Sequence, residues 1–391
     1  MNIKLGSKII GYATDLNIRE NGACGGFVTA LLVAALKGKL VESVVIFKKI
    51  NEFEAVPIVT NSIEAVIASA GSIHSVPINM ARYIKYSSEK KVAITTKPCD
   101  AKAVFEQAKR GMGNIENTYL IGLNCGGSMH PITTKKMLIE AYNINPDEVE
   151  REEIDKGKLI FKTVDGKEKA ISIHDLEYAG FGRRDCCRYC NTKIPINADI
   201  ACGNWGIING SHSSTFCEIM SKKGVKLINN AIIMGMVKIE PAQNKGVSIR
   251  EKINNSMLKL GKIYDENNFP DTSSNENINQ RIKDFTVLAN CIKCEACRVV
   301  CPICAYCDKV GHKCTIPNLF DDDYKLSNYH LTRLLHISNS CIGCGQCTDV
   351  CPSDIPIDAI QKRFSNPIQK KLNYIPGNTR FVPQLLNLKV K

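Results

Sequence analysis

Residues 92–125, VAITTKPCDAKAVFEQAKRGMGNIENTYLIGLNC, decide the fold of the N-terminal part of the chain. Two short apolar stretches, Val92–Thr95 and Tyr119–Leu123, are typical of buried strands, and a helix-forming stretch separates them. Earlier in the chain, Gly26–Leu36 predicts a helix and Ser43–Phe47 predicts another strand. Strands that alternate with helices indicate an α/β domain with a mostly parallel sheet.

Composition changes along the chain and indicates three parts. Lys158–Thr163 and Lys169–Ile173 flank an Asp-Gly turn and predict a hairpin inserted in the α/β domain. Residues 242–285 are polar and predict a surface helix followed by a flexible connection. The cysteine density rises sharply from Cys291, and the tail after Cys351 is either an arm packed back on the chain or a docking arm for another subunit. We expect an α/β domain over 1–240, a connection over 241–285 and a ferredoxin-like domain over 286–391.

Composition also limits the class of protein. The chain has 391 residues, of which 44% are hydrophobic, enough for one large or two ordinary domains. The N-terminus lacks the features of a signal peptide, and no apolar stretch reaches the roughly 18–20 residues of a membrane-spanning helix. We therefore expect a cytoplasmic protein without a membrane span.

Charge and cysteine content point to redox chemistry. Nineteen cysteines in a cytoplasmic protein indicate metal ligands rather than disulfides. The net charge of +12 fits an anionic cofactor or an acidic partner, although a solvated basic surface explains it equally well. Aromatic residues make up only 6% and do not alternate with arginines, which argues against nucleic acid as a partner.

Two cysteine runs near the C-terminal end share one spacing. Residues 291–302 and 341–352 both have the pattern C-x2-C-x2-C-x3-C-P, as in bacterial two-cluster ferredoxins. In such proteins the first three cysteines of a run bind one 4Fe-4S cubane and the fourth binds the other. The spacing therefore predicts one cluster held by Cys291, Cys294, Cys297 and Cys351, and a second held by Cys341, Cys344, Cys347 and Cys301.

Zinc is the alternative for these runs, because zinc is also held by C-x2-C pairs. The two complete matches favour iron–sulfur clusters. Between the runs lies a further thiol–imidazole group. It could hold zinc or another cluster, but spare free thiols are the simpler interpretation. Its members are Cys304, Cys307, His312 and Cys314.

A third group of cysteines is expected in the α/β domain. The two strands of residues 92–123 lead into Cys99 and Cys125, and ligands gather outside the carboxyl ends of strands in α/β sheets. The segment 183–190, RRDCCRYC, adds the C-x2-C pair of Cys187 and Cys190. Four thiolates suffice for one more cluster. From the residues alone, Cys202 competes as a ligand and Cys186 is an alternative to Cys187.

Several blocks of the N-terminal part resemble one known family, in the same order along the chain. They are IRENGACGGFVTALL, SAGSIHSVP, TTKPCDAKA, IGLNCGGSMHP and GRRDCCRYCNTKIPINADIACGNWG. The family is that of the beta subunits of coenzyme F420-reducing hydrogenases and formate dehydrogenases from methanogenic archaea. The C-terminal two-cluster domain is similar to that of the formate dehydrogenase branch, since the hydrogenase subunits are shorter.

The resemblance implies an FAD and a proximal 4Fe-4S cluster in the α/β domain, with Cys99, Cys125, Cys187 and Cys190 as the cluster ligands. It also implies reduction of the 8-hydroxy-5-deazaflavin coenzyme F420. The glycine-rich turn before a helix suits a pyrophosphate. The implied flavin contacts are Asn21, Gly22, Gly25, Gly26, Thr29, Ser72, His74, Ser75, Thr96, Lys97, Asn124 and Gly126.

These contacts also have ordinary structural interpretations. GACGGF departs from the dinucleotide fingerprint G-x-G-x-x-G and is typical of a glycine-rich turn. Lys97 either stabilises anionic reduced flavin or is a solvated loop lysine, and His74 is equally a structural histidine. Arg183, Arg184 and Lys193 either bind the anionic tail of the coenzyme or hold the cysteine loop in place.

The resemblance predicts an electron relay. A separate alpha subunit with a molybdopterin or tungstopterin oxidises formate, the clusters pass single electrons to FAD, and the flavin gives a hydride to coenzyme F420. No side chain acts as a nucleophile. Alternatives are a ferredoxin- or hydrogenase-linked reductase of this coenzyme, a non-catalytic iron–sulfur conduit, and a zinc protein that binds nucleic acid. Participation of a heterodisulfide reductase complex stays open.

Overall fold

The structure of the chain, a computed structural model, describes residues 2–208, 213–270, 275–304 and 325–378. The strands in these ranges are β1 (Lys8–Ala13), β2 (Ser43–Asn51), β3 (Glu54–Thr60), β4 (Val92–Thr96), β5 (Thr118–Leu123), β6 (Val149–Asp155), β7 (Lys158–Thr163), β8 (Glu168–Ser172), β9 (Ile200–Gly203), β10 (Thr215–Ile219) and β11 (Val237–Pro241).

The α-helices of the same ranges lie between the strands of the N-terminal part and make up most of the regular structure after β11. They are α1 (Leu16–Asn21), α2 (Phe27–Lys37), α3 (Ile63–Ala68), α4 (Pro98–Ala108), α5 (Pro131–Glu140), α6 (Ile173–Tyr178), α7 (Asp185–Arg188), α8 (Lys222–Ile233), α9 (Asn244–Asn268), α10 (Asn275–Leu288), α11 (Ala296–Val300), α12 (Lys325–Ile337), α13 (Gln346–Asp349) and α14 (Ile357–Lys371). No helix within the described ranges is long and apolar enough to cross a membrane.

The large sheet is mixed, with a parallel centre. Within the described residues its strand order is β11-β1-β10-β9-β5-β4-β2-β3. The pairings β9–β5, β5–β4 and β4–β2 are parallel, which confirms the expected parallel sheet at the centre. The outer pairings are antiparallel. At the β2–β3 edge, the short connection explains the antiparallel pairing. Only residues 52–53 join the two strands, which is too few for the crossover that a parallel pair needs.

Helices cover both faces of this sheet. In β2, Val44 and Ile46 face the core formed with α2 and α8, whereas Val45 faces the core formed with α4. This alternation is the ordinary period of a strand, and burial on both faces explains why the strands are apolar throughout. α2 begins after Gly26 and is apolar on nearly all sides because it is buried between the sheet and neighbouring helices.

The predicted hairpin is confirmed. β7 and β8 pair in antiparallel fashion around Asp165 and Gly166, and β6 adds a third strand to this small sheet. Gly166 has a φ of +81°, the left-handed conformation that such a turn requires.

The connection between the two cysteine-containing parts is more ordered than its composition predicts. α9 is the expected surface helix, but the expected flexible connection contains α10, which runs through residue 285. Arg363 pairs with Asp284 at 2.5 and 2.6 Å, and Leu288 is buried in the C-terminal core. These tertiary contacts hold a polar segment in a helix, and composition does not reveal them.

The region after Cys351 packs back on the chain, as expected. α14 follows the second cysteine run, and the backbone then reaches α4 of the α/β domain. There the buried Glu106 accepts hydrogen bonds from Tyr374 at 2.6 Å and from the backbone of Gly377 at 2.8 Å. Residues 379–391 lie outside the described residues.

Candidate redox site

Four cysteines line one cavity at the surface of the C-terminal region. Cys291, Cys294, Cys297 and Cys351, here called the distal thiols, surround a small cavity of about 10 Å³. Burial raises the pKa of Cys291, and the other three thiols add to the shift. The Cys294 side chain is exposed. Cys351 therefore crosses from its own run to the other, which is the arrangement that the ferredoxin spacing predicts.

The other four cysteines of the two runs lie together on the buried side. Burial raises the pKa of Cys341 to about 11 and those of Cys344 and Cys347 well above the usual range, and Cys301 adds to each shift. These four are called the middle thiols. Bound metal favours the thiolate forms that burial disfavours, so the chemistry of both sets suits iron–sulfur clusters. Their role as ligands stays a prediction.

Cys304 lies beside the middle thiols, and its membership of a further metal site stays open. It is buried, and its hydrogen bond to Cys301 lowers the pKa of Cys301. The remaining members of the expected thiol–imidazole group, Cys307, His312 and Cys314, lie outside the described residues. Among the described residues, no three His, Cys, Asp or Glu side chains meet as they would around a single metal ion.

A third group of thiols follows the carboxyl ends of two parallel strands. Cys99 lies at the start of α4 after β4, and Cys125 follows β5. Burial raises the pKa of Cys99 and that of Cys125, and Cys190 contributes to both shifts. Cys187 contributes to the shift of Cys125. The structure thus brings together Cys99, Cys125, Cys187 and Cys190, here called the inner thiols.

The two alternative ligands lie elsewhere or face another way. Cys202 is in the middle of β9, where it pairs with Cys217 in the core that α2 covers. Cys186 lies 3.9 Å from Cys187, but its Sγ points to the carbonyl oxygen of Cys344 at 3.6 Å. The structure therefore separates Cys202 from the inner thiols and leaves Cys186 at the contact between the inner and middle thiols.

Lys97 is a buried cation beside the inner thiols. Its Nζ donates to the carbonyl oxygen of Ile78 at 2.7 Å and pairs with Asp100 at 3.1 Å. Burial opposes its charge, but Asp100 and then Cys99 and Cys125 outweigh burial and raise the pKa of Lys97. Only 15% of the Lys97 side chain is exposed. The interpretation of Lys97 as a solvated loop lysine is therefore wrong.

Two arginines and a lysine hold the cysteine loop in place. Arg183 pairs with Glu177 and donates to the carbonyl oxygen of Gly126 at 3.3 Å. Arg184 pairs with Asp349 and donates to the carbonyl oxygen of Cys344 at 3.1 Å. Both arginines therefore hold the cysteine loop in place, and contact of either with the coenzyme stays a prediction.

The lysine of this set is buried in the same loop. Lys193 is 2% exposed, and its Nζ donates to the carbonyl oxygen of Cys187 at 3.1 Å. The backbone of Cys125 in turn donates to the carbonyl oxygen of Lys193 at 2.9 Å. The loop that carries Cys187 and the strand end that carries Cys125 are therefore bound to each other, and this lysine is engaged inside the protein rather than at its surface.

The expected flavin contacts in the glycine-rich turn have a packing explanation. Gly25 and Gly26 have φ values of +65° and +66°, and a Cβ on either would meet backbone at 2.3 or 2.2 Å. A Cβ on Gly22 would meet Gly26 at 2.4 Å. Asn21 is exposed and bonds to Asn17, and Thr29 is buried in α2. Contact of these residues with a flavin stays a prediction.

Two of the three flavin contacts expected in the segment 72–75 have hydrogen-bond partners within the protein. His74 bonds through Nδ1 to the buried Glu152 at 2.8 Å, a contact that fits the interpretation as a structural histidine. Ser75 is buried and bonds to Thr134 at 2.8 Å. Ser72 is exposed. The His74 side chain is partly exposed, with 26% of its surface accessible. Contact of these three residues with a flavin is likewise a prediction.

The strand ends beside Lys97 carry polar groups that lack partners. Both side-chain atoms of Asn124 and the hydroxyl of Thr96 are buried and have no hydrogen-bond partner among the described residues. Such groups are rare in folded proteins and indicate a missing partner. A Cβ on Gly126 would meet only Met257, at 3.2 Å. The space beside the backbone of Gly126 is therefore not filled by other protein atoms. The carboxyl ends of β4 and β5 are here called the crevice, because ligands of α/β sheets bind at such ends. The donors and acceptors there are of the kind that binds the polar edge of a flavin ring.

Family models match most of the chain. The models for the N-terminal and C-terminal parts of the coenzyme F420 hydrogenase/dehydrogenase beta subunit match residues 9–85 and 89–245. A model for a 4Fe-4S dicluster domain matches residues 287–355. The last match covers both cysteine runs.

Known proteins are similar over the same length. The chain is 41% identical to the F420-dependent formate dehydrogenase subunit beta of Methanocaldococcus jannaschii, over 97% of this chain and 99% of that protein. It is 39% identical to the F420-dependent formate dehydrogenase 1 subunit beta of Methanococcus maripaludis, over 93% and 94%. A chain of the F420-reducing [NiFe] hydrogenase complex from Methanosarcina barkeri shares the fold, with a TM-score of 0.60, 18% identity and coverage of 69% and 95%.

Proposed function

The chain belongs to the family of coenzyme F420 hydrogenase and formate dehydrogenase beta subunits, and we propose that it is the subunit of a formate dehydrogenase that transfers electrons to coenzyme F420. A partner subunit oxidises formate, and electrons travel through this chain to the crevice beside Lys97. The expected partner is a molybdopterin or tungstopterin protein. Residues 286–391 carry two 4Fe-4S clusters, and residues 1–240 carry the third cluster, FAD and the coenzyme site. Residues 241–285 connect these two domains.

One observation carries this proposal: three groups of thiols follow one another from the surface to the crevice. The distal thiols reach solvent at Cys294. The middle thiols lie beside them and also approach the inner thiols, since both Cys301 and Cys99 contribute to the raised pKa of Cys344 after burial. The inner thiols adjoin Thr96 and Asn124. An electron that enters at the surface therefore has a stepwise path to the crevice.

Bound clusters supply one-electron transfer, and a bound flavin converts single electrons into the hydride that a deazaflavin accepts. The residues of the chain bind and orient these groups. Lys97 holds a positive charge at the crevice, which stabilises negative charge that develops there. Asn124 and Thr96 offer hydrogen bonds to the ring edge, and Arg184 holds the inner and middle thiols together through its contacts with both.

The orphaned hydroxyl of Thr96 allows a test that separates binding from folding. Thr96→Val removes a buried group without a partner, so we expect an unchanged or higher unfolding midpoint of the FAD-free chain. Loss of one hydrogen bond to FAD should weaken FAD binding about 3- to 10-fold. Fluorescence titration of the FAD-free, iron-loaded chain measures this affinity.

Thr118→Val is the matched control at the opposite end of the paired strands. Thr118 is also buried, but its hydroxyl donates to the carbonyl oxygen of Asn114 at 2.8 Å. We expect a lower unfolding midpoint and normal FAD affinity. Equal FAD affinity in the wild type and Thr96→Val would remove Thr96 from the flavin site.

The activity itself is tested on the purified, iron-loaded chain. Reduced coenzyme F420 is oxidised by a viologen dye under anaerobic conditions, with and without added FAD. FAD-dependent oxidation supports the coenzyme site on this chain. No oxidation, in protein that contains both iron and FAD, would show that the coenzyme binds elsewhere. Co-purification with a formate-oxidising subunit distinguishes the proposal from a ferredoxin- or hydrogenase-linked reductase.

A further inference from the structure

α12 places a buried arginine between the two C-terminal groups of thiols. Arg333 is 1% exposed, and its Nη2 donates to the carbonyl oxygen of Cys297 at 3.2 Å. Its Nε has no hydrogen-bond partner among the described residues. We propose that Arg333 is a positioning residue whose permanent charge raises the reduction potentials of both C-terminal clusters together. This inference rests on the proposed function, because it takes the distal and middle thiols as cluster ligands.

The charge of Arg333 acts on members of both groups. The neighbours of Arg333 on α12 pack against both groups: Leu334 lies in the core that contains Cys297 and Cys347, and Ile337 lies in the core that contains Cys301 and Cys304. Cys297 is a distal thiol, whereas Cys301 and Cys347 are middle thiols. The helix that carries this guanidinium therefore lies against both predicted clusters.

A fixed positive charge changes the equilibrium of a nearby cluster in one direction. Reduction adds one negative charge to the cluster, and a cation in a water-free interior stabilises the reduced form more than the oxidised form. An arginine stays protonated through this change, so its effect does not depend on pH near neutrality. A cation shared by two clusters raises both potentials, so equal shifts leave the driving force between these two clusters unchanged and make both of them better acceptors of electrons from the partner subunit.

The test is a redox titration of the full-length, iron-loaded chain followed by electron paramagnetic resonance. Arg333→Met should make both C-terminal clusters harder to reduce, by at least about tenfold in each one-electron equilibrium, which corresponds to about 59 mV. The inner cluster should keep its potential and is the control within the molecule. Arg333→Lys keeps the charge and should restore most of the shift.

Lys293→Gln is the matched control on the surface. Lys293 is exposed beside Cys294, so solvent screens its charge and we expect less than about a threefold change in either equilibrium. Unchanged potentials in Arg333→Met would overturn the proposal, and a shift confined to one cluster would overturn the shared role.

Loss of iron is also decisive. If Arg333→Met loses iron while Arg333→Lys retains it, the charge is needed to hold the clusters, which supports the proposal. If both variants lose iron, the shape of the guanidinium matters rather than its charge, and the proposal is wrong. A wild-type chain that never takes up iron in residues 286–391 would instead contradict the proposed function.

Discussion

The two cysteine runs have the same spacing and the same turn, but they use different residues to make it. Lys293 and Glu295 of the first run have φ values of +61° and +57°, and Gly343 and Gly345 occupy the equivalent positions of the second run with +68° and +73°. Left-handed backbone costs a residue with a side chain about 1–2 kcal/mol and glycine almost nothing. The first run therefore accepts strain that the second run avoids.

The surroundings of the two runs explain this difference. A Cβ at Gly345 would meet the Sγ of Cys186 at 2.3 Å, whereas a Cβ at Gly343 would meet nothing within 4 Å. The second run packs against the α/β domain at Gly345, and the first run faces solvent. Equal spacing thus determines the turn, and the neighbouring domain excludes a side chain at position 345 but not at position 343.

Arg184→Met tests the buried side of this comparison. Arg184 and its partner Asp349 have 9% and 15% of their side chains exposed, and the loss of one partner from a buried pair costs about 3–5 kcal/mol. The pair of Arg298 and Glu295 in the first run, with 15% and 23% of the side chains exposed, joins residues only three apart in the chain, and Arg298→Met should cost less than Arg184→Met. Urea unfolding followed by iron–sulfur absorbance measures both. Similar urea midpoints for the two variants would contradict a packed interface at the second run.

Gly345→Ala and Gly343→Ala separate strain from space within one run. Both variants carry the backbone strain, about 1–2 kcal/mol. Gly345→Ala adds the clash with Cys186, for a total of about 2–4 kcal/mol. We expect a lower thermal unfolding midpoint for Gly345→Ala than for Gly343→Ala. The contact with Cys186 is the cause only if the double variant with Cys186→Gly recovers part of the difference.

Removal of metal should distinguish the two runs by rate. The distal thiols reach open solvent at Cys294, whereas Cys344 of the middle thiols contacts Arg184 and Cys186 of the α/β domain. With limited oxygen or an iron chelator, we expect the distal cluster to disappear about 3- to 10-fold faster, because attack on the middle cluster needs a local opening that costs free energy. Electron paramagnetic resonance resolves the two losses. Loss of both clusters at the same rate would mean that one local opening exposes both of them, and would contradict the expected difference.

Lys293→Gly tests whether strain in the first run can be relieved. Glycine adopts the left-handed conformation without cost, so we expect a gain of about 0.5–1 kcal/mol after the greater flexibility of the unfolded chain is subtracted. Lys293→Ala removes the same charge and keeps the strain, and it should be close to neutral. A gain of equal size in both variants would assign the effect to charge rather than to backbone conformation.

Sequence patterns predicted much of the candidate site, and their failures are instructive. Cys99 and Cys125 were found because the carboxyl ends of adjacent parallel strands meet at one edge of a sheet. Cys202 could not be excluded in this way, because the direction of a side chain inside a strand depends on register, and the register of β9 turns Cys202 toward α2. Lys97 has no burial signal in its local sequence.

The sequence by itself determined the features that depend on neighbours along the chain. These are the spacing of the thiols, the turns between them, the alternation of strands and helices and the family of the protein. Only the tertiary structure decided that the second cysteine run packs on the α/β domain, that Arg184 contacts Cys344, and that Arg333 lies between two groups of thiols. These contacts join residues that are far apart in the chain, and their burial arises from the packing of whole elements, which a local pattern does not encode.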